Sequence, residues 1–372
     1  MRKKPIQVKA IVHEKGEKMK RQERWYWMIL ASLFFAIIFL IGASCPKAIA
    51  QTKGGVEAFY KGATINFVVP HSPGGPFDLW ARGLAPHLEK HTGARVVVNN
   101  MPGAGGLVGG SHLYAIAKPD GLTIGVLPLS GMVVAEMLEF STVRYEMEKY
   151  SYIGRVEIIQ RALFASKASG MHTIADMQKY PKVIRFGTVD PTSSSTVDAS
   201  LFAEAFNLKA KIIPGFKGSK EYMLALISGR EADAASTGLS AYGDYVKRGE
   251  ISMIAVAGQK RNPDFPAVPT LLETPGLKSE SKKLIELITV ITDGGRAIAA
   301  PPGIPEDRRL FLEKALLAST KEPALMEWAK KNDFEIAFLS GKECKDLMSK
   351  LLEVVPKSER LKFKHIITEK YF

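Results

Sequence analysis

The chain has 372 residues, 46% of them hydrophobic, with 32 glycines and 21 prolines, which is enough to bury one large core or two smaller ones. Its formal charge of +13 is concentrated at the start: residues 1–50 hold ten Lys/Arg against three Glu, and the +6 left on the remainder is too weak to argue for nucleic acid. Two cysteines, Cys45 and Cys344, exclude a disulfide framework once a leader is removed, and they exclude a cysteine zinc site.

The leader comes first in chain order. Trp25 to Ala43 is uncharged over nineteen residues, follows Lys18, Lys20, Arg21 and Arg24, and precedes Ala48-Ile49-Ala50, the small-x-small pattern of a signal-peptidase site. Residues 1–50 are therefore expected to direct export to the periplasm, with cleavage after Ala50. The apolar run is also long enough for an uncleaved anchor. A lipidated Cys45 is the third outcome, and a start at Met19 would shorten the basic tract.

Ile65 to Val69 reads as a strand that ends in His71-Ser72-Pro73-Gly74-Gly75-Pro76-Phe77-Asp78, with a helical pattern (Leu79, Leu84, Leu88) beyond. Free N–H groups at such a helix start favour an anionic ligand group, whereas an ordinary turn would use Asp78 only as a cap. The pattern repeats at once: Val96 to Asn100 is a strand, and Met101 to Gly110, containing Ala104, Gly105 and Gly106, opens the next helix. Two such loops at neighbouring strand ends point to a binding cleft. Leu122 to Leu127 is a further strand, running into Pro128-Leu129-Ser130-Gly131.

After Tyr150 the pattern restarts. Strands are expected at 152–156, 162–165 and 183–187, with a helix near 173–180. Thr188-Val189-Asp190-Pro191-Thr192-Ser193-Ser194-Ser195-Thr196 then crowds hydroxyls at a helix start, where they either cap the helix or bind a carboxylate. Phe216-Lys217-Gly218-Ser219 carries Lys217, which is either a ligand partner or a solvated lysine. Ala232 to Thr237 is a short strand that brings Ser236 to the same edge. Leu287–Thr292 and Ala297–Ala300 read as strands, Pro301 to Pro305 as a rigid turn into a helix over 306–320, and helices around 324–331 and 342–355 flank a strand at 335–338.

Three stretches together resemble a known family, the extracytoplasmic solute receptors of tripartite tricarboxylate transporters (TctC or Bug type). They are INFVVPHSPGGPFDLWARGLAPHLEKHTGARVVVNNMPGAGGLVGG, AKPDGLTIGVLPLSG, and GFKGSKEYMLALISGREADAAS followed by KRNPDFPAVPTLLETPG. The resemblance implies a two-lobed α/β periplasmic-binding-protein-like fold of type II, with two Rossmann-like domains joined by hinge strands. It implies a monomer that captures a small organic acid and hands it to membrane permease subunits. Lobe 1 is expected over 51–155 and 289–372, and lobe 2 over 156–288. The ligand is expected to meet Ser72, Pro73, Gly74, Gly75, Asp78, Ala104, Gly105, Gly106, Ser130, Thr188, Ser193, Ser194, Ser195, Thr196, Lys217 and Ser236, mainly through neutral donors. Two departures stand out: His71 replaces a usual apolar aromatic residue, and Ser, Thr and Pro replace glycines in the 188–196 loop.

No nucleophile, base and orienting group can be assembled, so no catalytic residue, cofactor or metal is assigned. His87 and His91 lie four apart on one helix without an evident third ligand, which reads as a solvated face. The competing class is a nucleotide-dependent enzyme using Gly103–Gly109, an approximate dinucleotide fingerprint with one extra residue and no acidic residue at the end of the next strand.

Overall fold

The computed structural model describes residues 55–239 and 242–372, so the leader expectations and Cys45 lie outside the described residues. Among the described residues no helix is long and apolar enough to cross a membrane. Strands β1 (Thr64–Val69), β2 (Arg95–Asn100) and β3 (Thr123–Pro128) pair in parallel in the order β3-β1-β2. Helices α1 (Val56–Tyr60), α2 (Pro76–Thr92), α3 (Leu107–Ala115) and α4 (Leu129–Met137) alternate with them.

The sheet is completed by β4 (Ser151–Glu157), β10 (Arg296–Ala300) and β11 (Ile336–Ser340), giving the order β11-β4-β10-β3-β1-β2. The second sheet holds β5 (Arg161–Ser166), β6 (Ile184–Gly187), β7 (Ala210–Ile213), β8 (Ala234–Gly238) and β9 (Ile251–Val256) in the order β7-β6-β8-β5-β9. The chain thus crosses between sheets in three residues, 158–160. It carries α5 (Ile174–Lys179), α6 (Ser194–Ala205), α7 (Ser219–Ser228) and α8 (Gly243–Lys247) with the second sheet.

One expected strand is a helix. Residues 287–292 belong to α9 (Ser279–Asp293). Their β-branched run resembles a strand locally, but Leu284, Ile285, Leu287, Ile288 and Ile291 form a buried stripe at helical spacing against α6, with Lys282, Lys283 and Glu286 outside it. Thr289 and Thr292 donate their hydroxyls to the carbonyls of Ile285 and Ile288, four residues back, which satisfies them inside a helix.

Beyond β10 come α10 (Glu306–Thr320), α11 (Pro323–Lys331), α12 (Gly341–Glu353) and α13 (Arg360–Thr368). The last helix was not foreseen. It packs on α6, and beyond it the Ile212 amide on β7 donates to the Tyr371 carbonyl at 2.6 Å, so the chain end returns to the second sheet. One apolar cluster joins α4, α6, α9, α12 and α13 and runs from one lobe to the other. A second lies between the first sheet and α2, α10 and α11, and a third beneath α7.

Candidate functional site

Three helix starts surround one cavity of about 430 Å³. Helix α2 begins at Pro76 after Gly75, with proline supplying the fixed φ of a first helical position. Helix α6 begins after Ser193, whose hydroxyl accepts from the Thr196 amide, and α7 begins after Gly218. First-turn N–H groups have no carbonyl four residues back within their own helix, and the helix dipole adds partial positive charge there. The cavity is lined by 71–77 from the first of these starts, by Ser193, Ser194 and Ser195 from the second, and by 217–222 from the third.

Of the residues expected at the ligand, Ser72, Pro73, Gly74, Gly75, Gly105, Ser193, Ser194, Ser195 and Lys217 line the cavity. The others do not line it, and most are engaged elsewhere. Asp78 is 3% exposed and accepts from the Gly74 amide (2.8 Å), Arg82 Nε (3.0 Å) and Asn100 Nδ2 (2.9 Å), so its carboxylate shapes the glycine loop from behind. Burial opposes its charge, but those bonds outweigh burial and hold the carboxyl below its ordinary range. The Ala104 carbonyl accepts from the Thr192 hydroxyl at 3.2 Å, joining the two lobes. A Cβ on Gly106 would meet Pro128 at 2.6 Å, so this glycine is required by packing.

Ser130 donates to the Ile291 carbonyl at 3.3 Å, facing α9. Thr188 is buried, and its hydroxyl has no partner among the described residues. Thr196 donates to the Asp190 carbonyl at 2.6 Å, inside the loop. Ser236 is fully buried and donates to Asp198 Oδ2 at 2.8 Å. Within the hydroxyl loop, Ser195 Oγ accepts from the Val189 amide, and Ser193 Oγ donates to the Asp190 carbonyl. Among the described residues, Ser194 is the serine of this loop whose hydroxyl carries no such bond.

Sequence reasoning missed two cationic residues of the wall, Arg161 on β5 and Arg296 on β10. Each is ion-paired to a buried carboxylate, Arg161 to Asp198 on α6 and Arg296 to Glu157 on β4. Burial pushes both carboxyls above their usual range, more than the arginines pull them down. Guanidinium groups therefore share the wall with the helix-start residues. Nothing short-range marks them, since their partners lie 37 and 139 residues away.

His71 packs against Phe77 at 4.4 Å between ring centroids and also lines the cavity. Burial first, then the charge of Arg296, pushes its pKa down to about 4. The unfolded histidine titrates near 6.5, so between pH 6.5 and 4 the unfolded chain binds the proton that the native one refuses, and stability falls as pH drops through that window. The full contribution is about 3 kcal/mol. Urea unfolding at pH 7 and 4.5 is expected to show a smaller acid loss in His71→Phe than in the unaltered chain. Equal losses would place the acid sensitivity elsewhere.

His87 and His91 do not form a solvated face: both contact the Glu322 carboxylate, at 2.9 and 2.5 Å, and tie α2 to the start of α11. Cys344 is buried in α12, and burial pushes its thiol up to about 12, which leaves it unreactive. Gly109, at the end of the dinucleotide-like stretch, packs against Pro70, where a Cβ would lie 2.7 Å from the ring.

The solved structures resembling this fold include the periplasmic binding protein BugD, 26% identical, with a TM-score of 0.68, covering 83% of this chain and 99% of that one. MatC from Rhodopseudomonas palustris with bound malate shares the fold at 21% identity and a TM-score of 0.65, over 78% of this chain and 98% of that one. A further R. palustris protein, with adipate, shares it at 20% identity and a TM-score of 0.66, over 81% of this chain and 97% of that one. By sequence the chain is 29% identical over 301 residues to a UPF0065 protein encoded in the TAR-I ttuE-ttuC' intergenic region of Agrobacterium vitis, covering 80% of this chain and 81% of that one. Protein BugT of Bordetella pertussis is 27% identical over 219 residues, 58% of this chain and 66% of that one. Residues 80–362 match the tripartite tricarboxylate transporter family receptor, TctC, and the chain belongs to that family of solute-binding receptors.

Proposed function

We propose that the protein captures a small organic carboxylate between its lobes, outside the cytoplasm, and delivers it unchanged to the membrane subunits of a tripartite tricarboxylate-type permease. The observation that carries this reading is the convergence of the N-termini of α2, α6 and α7 on one cavity, because fixed N–H donors with partial positive charge select an anion. Malate and adipate in the fold's relatives support an acid of that size. The protein acts as a monomer on this reading, with lobe 2 over 156–288 and lobe 1 over 51–155 and 289–372, the last stretch including the C-terminal helices, of which α13 reaches across to the second sheet. The basic, apolar, small-residue order of residues 1–50 supports export. Among the residues expected at the ligand, Ser72, Gly74, Gly75, Gly105, Ser194 and Lys217 are the contacts this reading retains first.

The test uses a thermal-shift screen against organic acids followed by calorimetry, since a ligand that prefers the native state raises its stability. Gly75 has an ordinary φ of −84°, and a Cβ there would first meet the Ser72 carbonyl oxygen at 3.6 Å, so the fold accepts a side chain. In the cavity the same side chain obstructs a ligand. Gly75→Val is therefore expected to weaken acid binding by at least tenfold, about 1.4 kcal/mol, with the unfolding transition little changed. A folded variant with unaltered affinity would reduce this loop to a turn.

A further inference from the structure

His71 stands in the cavity wall just beyond β1, packed on Phe77, and the guanidinium carbon of Arg296 lies 4.6 Å from the centroid of the same phenyl ring. One aromatic ring thus carries both groups. The His71 Nε2 is buried and has no hydrogen-bond partner among the described residues; Gly106 is its neighbour, and a Cβ there would lie 3.5 Å away. An imidazolium has two N–H groups to place, and here one of them meets no acceptor. Burial, a missing acceptor and an adjacent guanidinium all disfavour the charged ring, so the ligand-free cavity holds it neutral.

The carboxylates around His71 are already engaged. Glu157 on β4 is bound to Arg296 on β10, Asp78 behind the loop on α2 is bound to Arg82, and across the cavity Asp198 on α6 is bound to Arg161 on β5. The start of α7 brings Lys217, Lys220 and Glu221 to the wall, two positive charges against one negative. No carboxylate of the protein is therefore left to stabilise a charged His71. An entering acid changes that, because its negative charge offsets Arg296 and its oxygens accept from the ring. A negative charge beside an imidazole makes protonation easier, and by reciprocity the protonated ring then holds the anion more tightly.

Resting on the acid-receptor reading above, we propose that His71 takes up a proton as an anionic ligand enters, so that capture of the acid and protonation of the ring are one coupled step. The proton comes from solvent and stays on the imidazole, and the ligand is chemically unchanged. In the empty cavity the ring remains neutral down to about pH 4. In the occupied cavity it is charged at a higher pH, and between the two values affinity rises as pH falls. The apolar aromatic residue that His71 replaces carries no proton to couple. This receptor therefore loads more firmly in acid surroundings and lets go more readily as they turn alkaline.

Calorimetry with malate, adipate and benzoate at pH 7 and 5.5 tests this, each run made in two buffers of different ionisation heat so that protons taken up are counted directly. For an acid that binds, the affinity of the unaltered protein is expected to gain about threefold or more on that descent relative to His71→Phe and His71→Gln. The acid's own protonation is common to all three proteins and cancels. Glutamine keeps a polar side chain that does not titrate, so loss of proton uptake in both variants assigns the effect to the proton and not to shape. Equal pH dependence and equal uptake in the three proteins would overturn the proposal while leaving the acid receptor intact. If the variants fail to fold, NMR titration of the histidine ring signals in the unaltered protein decides it alone: one midpoint should move to higher pH when the acid saturates, and none moving would overturn it. If none of the acids binds, the receptor reading itself fails and the proposal falls with it.

Discussion

Asp198→Ala is expected to lower folding stability by about 3–5 kcal/mol, because it leaves the Arg161 guanidinium buried without its counter-charge. The side chain sits on α6, pairs with Arg161 on β5 and accepts from Ser236 on β8, so one carboxylate fastens a helix to two strands of the second sheet. That helix also presents its N-terminus to the cavity, and loosening it should lower ligand affinity along with stability. Urea unfolding separates the possibilities. Asp198→Asn keeps an oxygen for Ser236 and should lose less. Replacing both partners, Asp198→Leu with Arg161→Met, should recover much of the stability, since a buried ion pair exchanged for apolar groups is often neutral. Binding should not recover with it. A wild-type transition in Asp198→Ala would mean that cavity water already satisfies the guanidinium.

The contrast between what was legible in the sequence and what was not follows the range of the interactions. Turn chemistry is local, so the loops at 70–75, 101–106 and 301–305, each punctuated by Gly or Pro, announced their strand-to-helix junctions. Hydroxyls are ambiguous locally. Ser193, Ser195 and Thr196 turn inward to bond their own loop and Ser194 does not, a distinction set by how α6 packs on the second sheet. From the sequence Asp78 reads as a cap or a ligand contact; in the fold Asn100 comes alongside it from the next strand and it braces Gly74. The run at 287–292 reads as a strand because β-branched residues favour strands by propensity, whereas burial against α6 and α4 imposes helical spacing. Arg161 and Arg296 were invisible for the same reason in stronger form: their meaning lies in partners that only the tertiary fold supplies.

Gly105→Val is expected to reduce acid affinity on the order of a hundredfold, roughly 2.7 kcal/mol. Gly105 belongs to the 103–106 loop of the first lobe, and a Cβ on it would lie 3.0 Å from Ser193 Cα and 3.1 Å from Ser193 N in the second. Both are backbone atoms at the start of α6 and cannot rotate away as a side-chain tip could. Next to them the Thr192 hydroxyl reaches the Ala104 carbonyl, so this is where the lobes touch beside the cavity. A side chain there holds the lobes apart, and any ligand that needs donors from both loses one set. The glycine also has φ +63°, so valine adds backbone strain of about 1–2 kcal/mol that would appear in stability alone. Gly62 supplies the control: its φ is +74° and a Cβ there would meet nothing within 4 Å. Gly62→Val should therefore share the stability loss and keep wild-type affinity. Small-angle scattering with saturating acid should show Gly105→Val more extended than Gly62→Val. Equal affinities in the two variants would mean that the contact between Gly105 and Ser193 is incidental and that the cavity binds its ligand without the lobes meeting there.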